Sequence, residues 1–126
     1  MKILDSLKYT ENHEWVAINE SIATIGITDY AQKELGDIVY LDVDTVGQTL
    51  DVEAIFGSVE AVKTVSDLYM PVAGKVLEVN SNLETNPELL NNAPYSEGWI
   101  IKVELDNSIQ NNKLLTSEKY KEHIGL

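Results

Sequence analysis

The sequence has no cysteine and no arginine. The first absence excludes a disulfide framework, a thiol nucleophile and thiolate metal sites. Any redox sulfur must therefore arrive on an added group. The second leaves nine lysines against 21 aspartates and glutamates, a formal net charge of −12. Nucleic-acid binding relies on clustered Lys and Arg, so this composition argues against it. An anionic membrane surface repels such a chain. The acidic excess favours solubility and basic surfaces on partners. No apolar run approaches the ~20 residues needed to span a bilayer. The first residues, Met1-Lys2-Ile3-Leu4-Asp5-Ser6, lack the apolar core and cleavage pattern of an export signal. The expectations are no nucleic acid, no membrane and a cytoplasmic location.

What the chain does contain is a pattern of short strands. Its 126 residues, 44% of them hydrophobic, suit one domain over 1–126 and are too apolar for disorder. Residues 15–18 and 22–27 flank Asn19-Glu20-Ser21, a hairpin turn. Further strands are expected at 38–43, 56–62, 65–70, 72–79 and 99–105, with plain alternation in Ile101-Lys102-Val103-Glu104-Leu105. Three short helices are expected. Thr28 caps one over 29–35, stopped by Gly36. Asn86 caps a second with Pro87 in its first turn. Thr116 or Ser117 caps a third over 117–124, closed by Gly125. Residues 107–112 read as a polar, variable loop. The fold class is all-β with short helices, a barrel or sandwich.

Lys63 stands in Gly57-Ser58-Val59-Glu60-Ala61-Val62-Lys63-Thr64-Val65-Ser66-Asp67, between two β-type apolar runs with acids outside them. On composition alone it is one lysine of nine, and an exposed lysine is ordinarily solvated surface. A strand-turn-strand there would hold the amine on a rigid tip. Val62-Lys63-Thr64-Val65 nevertheless lacks the Asn-Gly or Asp-Gly of a tight hairpin. His13 and His123 are far apart in sequence and are read as packing or hydrogen-bonding residues, with no metal expected. Trp15 and Trp99 are read as buried or half-buried aromatics. Gly26, Gly36 and Gly57 have no phosphate-binding spacing, and no nucleophile-elbow pattern occurs.

Several separated segments change the odds for Lys63. They are Lys8-Tyr9-Thr10, His13-Glu14-Trp15-Val16, Ile25-Gly26-Ile27-Thr28-Asp29-Tyr30-Ala31-Gln32 and Leu35-Gly36-Asp37-Ile38-Val39. After the Lys63 segment come Pro71-Val72-Ala73-Gly74-Lys75-Val76, Asn86-Pro87-Glu88-Leu89, Asn92-Ala93-Pro94-Tyr95 and Gly98-Trp99-Ile100. In this order, over nearly the whole chain, they resemble the H proteins of the glycine cleavage system. The resemblance implies a lipoyl-domain-like barrel-sandwich hybrid, with Lys63 on a β-hairpin carrying lipoic acid as a covalent amide. It implies a carrier, not an enzyme. The carrier accepts an aminomethyl group from glycine at the pyridoxal-phosphate-dependent decarboxylase (P-protein). It then visits the tetrahydrofolate-dependent aminomethyltransferase (T-protein) and is reoxidised by dihydrolipoamide dehydrogenase (L-protein). A lipoate ligase or an octanoyl transferase would load it, and a monomer is the simplest shuttle.

Further site assignments follow from that resemblance. Glu60 and Gly74 are assigned to recognition of the modification site, Gly74 through close backbone approach or a positive φ beside the hairpin. An acylated Lys63 loses its charge and gains a reach on the order of 14 Å. The aminomethyl cation it would carry calls for a pocket with carboxylates. Glu14 and Asp67 are the candidates, ahead of Glu11 and Glu34. Other readings are an H-like lipoyl donor, a regulatory paralogue and a 2-oxoacid dehydrogenase lipoyl domain. The last is disfavoured because the flanking regions match H proteins. Biotin carriers place Met on both sides of the lysine, where this chain has Val62 and Thr64. The chain departs from the family at Glu53, where glycine is common and can supply a positive φ, so a different loop shape is open there.

Overall fold

A computed structural model describes residues 1–106 and 113–126. The expected loop at 107–112 lies outside the described residues. Two antiparallel sheets form the framework. The larger has the order β1-β2-β3-β9-β8-β5, with β1 Lys8–Tyr9, β2 Glu14–Asn19, β3 Ile22–Ile27, β9 Ile101–Leu105, β8 Gly74–Val79 and β5 Thr49–Leu50. The smaller has the order β4-β6-β7, with β4 Ile38–Asp42, β6 Ile55–Ala61 and β7 Val65–Tyr69. Neither sheet closes on itself, and the fold is the lipoyl-type barrel-sandwich expected from the sequence. Inward residues of both sheets, among them Ile25, Phe56, Val59, Val76, Ile101 and Val103, share one core. That sharing buries one face of each sheet, and the small sheet keeps Tyr40, Glu60 and Val65 exposed on its other face.

Among the described residues four short helices trim the sheets. α1 (Asp29–Leu35) begins where Thr28 accepts a hydrogen bond from the Ala31 N–H, 3.1 Å, and ends at Gly36. α4 (Ser117–His123) is capped by Thr116, which accepts from the Lys119 N–H, 3.2 Å. The helix expected from Asn86 forms differently. α2 (Asn82–Thr85) precedes it, Asn86 closes α2 at its C-terminus, and α3 (Leu89–Asn92) starts after Pro87. Each is about one turn, too short for a 3.6-residue period to show in the sequence. β1 and β5 went unforeseen for the same reason, since two residues cannot alternate.

A second apolar cluster lies under α4. Tyr9 and Tyr120 stack with ring centroids 4.7 Å apart, beside Leu7 and Trp15. The Trp15 Nε1 donates to the Pro94 carbonyl at 2.8 Å, which satisfies the one polar atom of a buried indole. Trp99 is half-buried beneath the Lys102 amine, 4.9 Å from the ring centroid. Among the described residues no helix is long and apolar enough to cross a membrane.

Candidate functional site

Lys63 occupies the tip of the β6–β7 hairpin. The Ala61 N–H donates to the Thr64 carbonyl at 2.7 Å, closing the turn. No residue of the turn has a positive φ, so the mirror-image turn that demands Asn-Gly is not used. That explains why the sequence carried no turn signal there. A second bond fixes the tip to the body of the protein: the Val62 N–H donates to the Asp37 carbonyl at 3.0 Å. The Lys63 side chain runs past Gly36, where an added Cβ would stand 3.5 Å from its Cε. Gly36 has φ 79 and ψ −155, a region open almost only to glycine. Lys63 is exposed and makes no ion pair among the described residues.

The small sheet presents a mixed face around this amine. Tyr40, Glu60 and Val65 are cross-strand partners in one row, and Asp42, Ser58 and Asp67 form the next. Paired residues of an antiparallel ladder point the same way. Tyr40 is 56% exposed, Val65 62% and Val62 76%. Glu60 is exposed between Tyr40 and Val65, so an approaching protein meets it together with Lys63. Gly74 is placed elsewhere. It lies buried in β8 of the large sheet, paired with Leu50 and Leu105. A side chain there would run into the Glu104 carbonyl, so close approach, not positive φ, explains the glycine.

Glu14 is 2% exposed at the start of β2. Its Oε1 accepts from the Thr10 hydroxyl at 2.7 Å and its Oε2 from the Tyr69 N–H at 3.3 Å. Burial pushes its carboxyl up to about 7, and these two bonds only partly oppose the rise. It lines a pocket of about 680 Å³ with Thr10, Met70, Pro71, Leu114 and Lys119. Glu11 lines the same pocket; Asp67 and Glu34 do not. Asp67 sits exposed in mid-β7 opposite Ser58. Glu34 instead acts through its charge on His13. Tyr69, whose backbone holds Glu14, ends β7, and the run back to Val65 beside the Lys63 turn is about 13 Å of extended strand. Lys63 and the pocket are therefore joined by β7 but not adjacent. Neither Tyr69 nor Met70 could be picked out in advance, because a backbone donor and an apolar wall carry no motif.

The histidines do come together. His13 and His123 have ring centroids 5.6 Å apart, and His13 Nδ1 lies 2.9 Å from the Tyr120 hydroxyl. Burial, helped by His123, lowers the His13 pKa, against the pull of Glu34. Both are packing and hydrogen-bonding residues here, and among the described residues no group of three potential ligands surrounds them.

Known proteins share this arrangement. Residues 7–125 match the sequence model of the family described as glycine cleavage H-protein. Fourteen chains of solved structures match the fold. One is a glycine cleavage system H protein from Mycobacterium marinum, with 34% identity and a TM-score of 0.90 over 98% of this chain and 100% of that one. Sequence and structure agree over nearly the whole length: the chain belongs to the glycine cleavage H-protein family.

Proposed function

We propose that this protein is the lipoyl carrier of the glycine cleavage system, with lipoic acid attached by an amide to Lys63. The observation that carries the reading is an exposed amine, unpaired among the described residues, on a hairpin tip tied down by the Val62–Asp37 bond. A carrier needs that combination: a free nucleophile for loading and a fixed base for the arm afterwards. Gly36 leaves room beside the lysine stem for the added chain. Bound there, the lipoyl group supplies a disulfide that takes up the aminomethyl group of glycine and is left as a dithiol when that group departs. The chain's own part is to hold, present and shield, while the P-protein, T-protein and L-protein do the chemistry. It is a carrier and not itself an enzyme. Tyr40, Val62 and Val65 offer the apolar contact that such visitors require, and Glu60, Asp42 and Asp67 set its sign.

Glu14 is the group we assign to the carried amine. A carboxyl poised near neutrality ionises when an ammonium arrives beside it, because the cation stabilises the carboxylate. Glu11 adds a second negative charge, and Lys113 and Lys119 also line the pocket. Asp67, outside the pocket, is assigned to the docking face instead.

The first experiment is intact mass of protein from lipoate-supplied cells, with mapping of the peptide containing Lys63. A lipoyl or octanoyl increment on Lys63 alone, followed by activity in a reconstituted glycine decarboxylase assay, is the expected result. An unmodified Lys63 beside a working lipoylation system overturns the reading. For Glu14, release of the aminomethyl group to water should be faster in Glu14→Gln than in wild type; equal rates remove it from the pocket's function.

A further inference from the structure

We propose that Asn91 is a positioning residue for the Lys63 hairpin: its carboxamide clamps the loop on which the tip hangs. The proposal rests on the reading of Lys63 as the attachment site and adds a residue that no motif marked. Asn91 belongs to α3. Its Nδ2 donates to the Gly36 carbonyl at 2.8 Å and to the Gln32 Oε1 at 3.2 Å. Its Oδ1 accepts from the Ile38 N–H at 3.0 Å. The bonds at Gly36 and Ile38 bracket Asp37, whose carbonyl takes the Val62 N–H. A single side chain therefore secures both neighbours of the residue that anchors the hairpin tip.

The donor and acceptor ends are not interchangeable. One faces a carbonyl and the other an N–H, so only one orientation of the amide satisfies both. Gln32 is itself oriented, because its Nε2 donates to Asp29 Oδ1 at 2.7 Å. α3 is a firm base for the clamp. Leu90 is buried in the core, and the Gly98 N–H closes onto the Ala93 carbonyl at 2.8 Å. The route runs from α3 through Asn91 to residues 36–38, then to Val62 and Lys63. Gly36, with the only backbone conformation of its kind at this corner, also gives the lysine stem its track. Without the clamp, the loop and the tip lose a shared reference. A loading enzyme would then have to order the amine itself before acyl transfer.

The test uses the full-length, unmodified protein with a lipoate–protein ligase, lipoic acid and ATP. In the ligase reaction the Lys63 amine displaces AMP from the lipoyl adenylate, forming the amide and releasing a proton. Steady-state kcat and KM are measured for wild type, Asn91→Ala and Asn91→Asp, together with amide hydrogen exchange. Asn91→Asp keeps the shape but turns an acceptor oxygen toward the Gly36 carbonyl. The expected result is a fall in kcat/KM on the order of 10-fold for both variants. Exchange at Val62 should accelerate by a similar factor while amides of β3 and β9 keep theirs. Where Asn91→Asp does not fold, Asn91→Ser, which is too short to bridge both partners, takes its place with the same expectation. Wild-type kcat/KM with a protected Val62 overturns the clamp. So does exchange that rises equally in β3 and β9, because that marks a general stability role. Failure of the wild type itself to be acylated on Lys63 overturns the carrier reading instead, and the positioning role falls with it.

Discussion

Glu14 gives up water on folding and gains only two hydrogen bonds in return, so its carboxyl rises from an ordinary 4.5 to about 7. The folded state then holds a proton that the unfolded chain has already released. Stability from this group is complete below about 4.5 and is lost as pH climbs through about 7. The loss is on the order of 3 kcal/mol. Glu14→Gln cannot ionise, yet its amide can still accept from Tyr69 and donate to Thr10. Its Tm should match wild type near the acid end of that window and exceed it increasingly on the alkaline side. A constant difference across the window would mean that Glu14 titrates as an ordinary acid. Glu53 makes a second case at this scale. It stands where the family commonly has glycine, and it adopts φ 71. The left-handed conformation costs a side-chain-bearing residue about 1–2 kcal/mol, partly offset because glycine is more flexible when unfolded. Glu53 is exposed and makes no ion pair among the described residues. Glu53→Gly should therefore stabilise by about 0.5 kcal/mol and lift Tm by ~2 °C in calorimetry; a lower Tm would show that the local strain is absent.

α4 shows how one side chain secures an element. Tyr120 stacks on Tyr9, and its hydroxyl meets Thr28 at 2.7 Å and His13 at 2.9 Å. Burial raises the Tyr120 pKa well above its ordinary value, so the phenol stays protonated through the physiological range. Tyr120→Phe keeps the stack but strips both polar partners. The expected cost is about 1–2 kcal/mol, read as a lower Tm and faster amide exchange in α4, with the β3–β9 amides unaffected. Unchanged exchange in α4 would assign its docking to the apolar contacts alone. None of this was legible in advance, because Tyr9, Thr28 and Tyr120 meet only through the fold. What was legible had local causes. Thr28 and Gly36 delimit α1, and Thr116 opens α4, through caps that act within a few residues. The longer strands showed through their alternation. The Lys63 turn was found by resemblance alone, since its backbone uses no left-handed residue. A pocket holding Glu14 was expected, but its other walls, Met70, Pro71 and Leu114 among them, were not, because the lining comes from four separate stretches of chain. Asn91 stayed hidden for a similar reason. Its partners are mostly backbone atoms, and backbone atoms leave no mark in a sequence.

Charge acts on the molecule as a whole. Twenty-one acids face nine lysines, and only two ion pairs join the described residues, Lys33–Asp29 at 3.7 Å and Lys102–Glu78 at 3.8 Å. Both are long, and in each the lysine is open to solvent, so such pairs contribute little. The dominant surface term is therefore repulsion among carboxylates, which compaction increases. Salt screens charges beyond ~10 Å at about 0.1 M, so it relieves many repulsions while sacrificing only two weak attractions. Tm at neutral pH should rise by a few degrees between low ionic strength and ~0.2 M NaCl. Encounter with partner enzymes should move the other way, because the acids flanking Lys63 attract cationic surfaces only while unscreened. The two effects separate cleanly in one salt titration followed by calorimetry and by the ligase KM. A Tm that falls with salt would mean that attractive pairs outweigh the net charge. A KM that does not rise with salt would mean that Asp42, Glu60 and Asp67 take no part in steering.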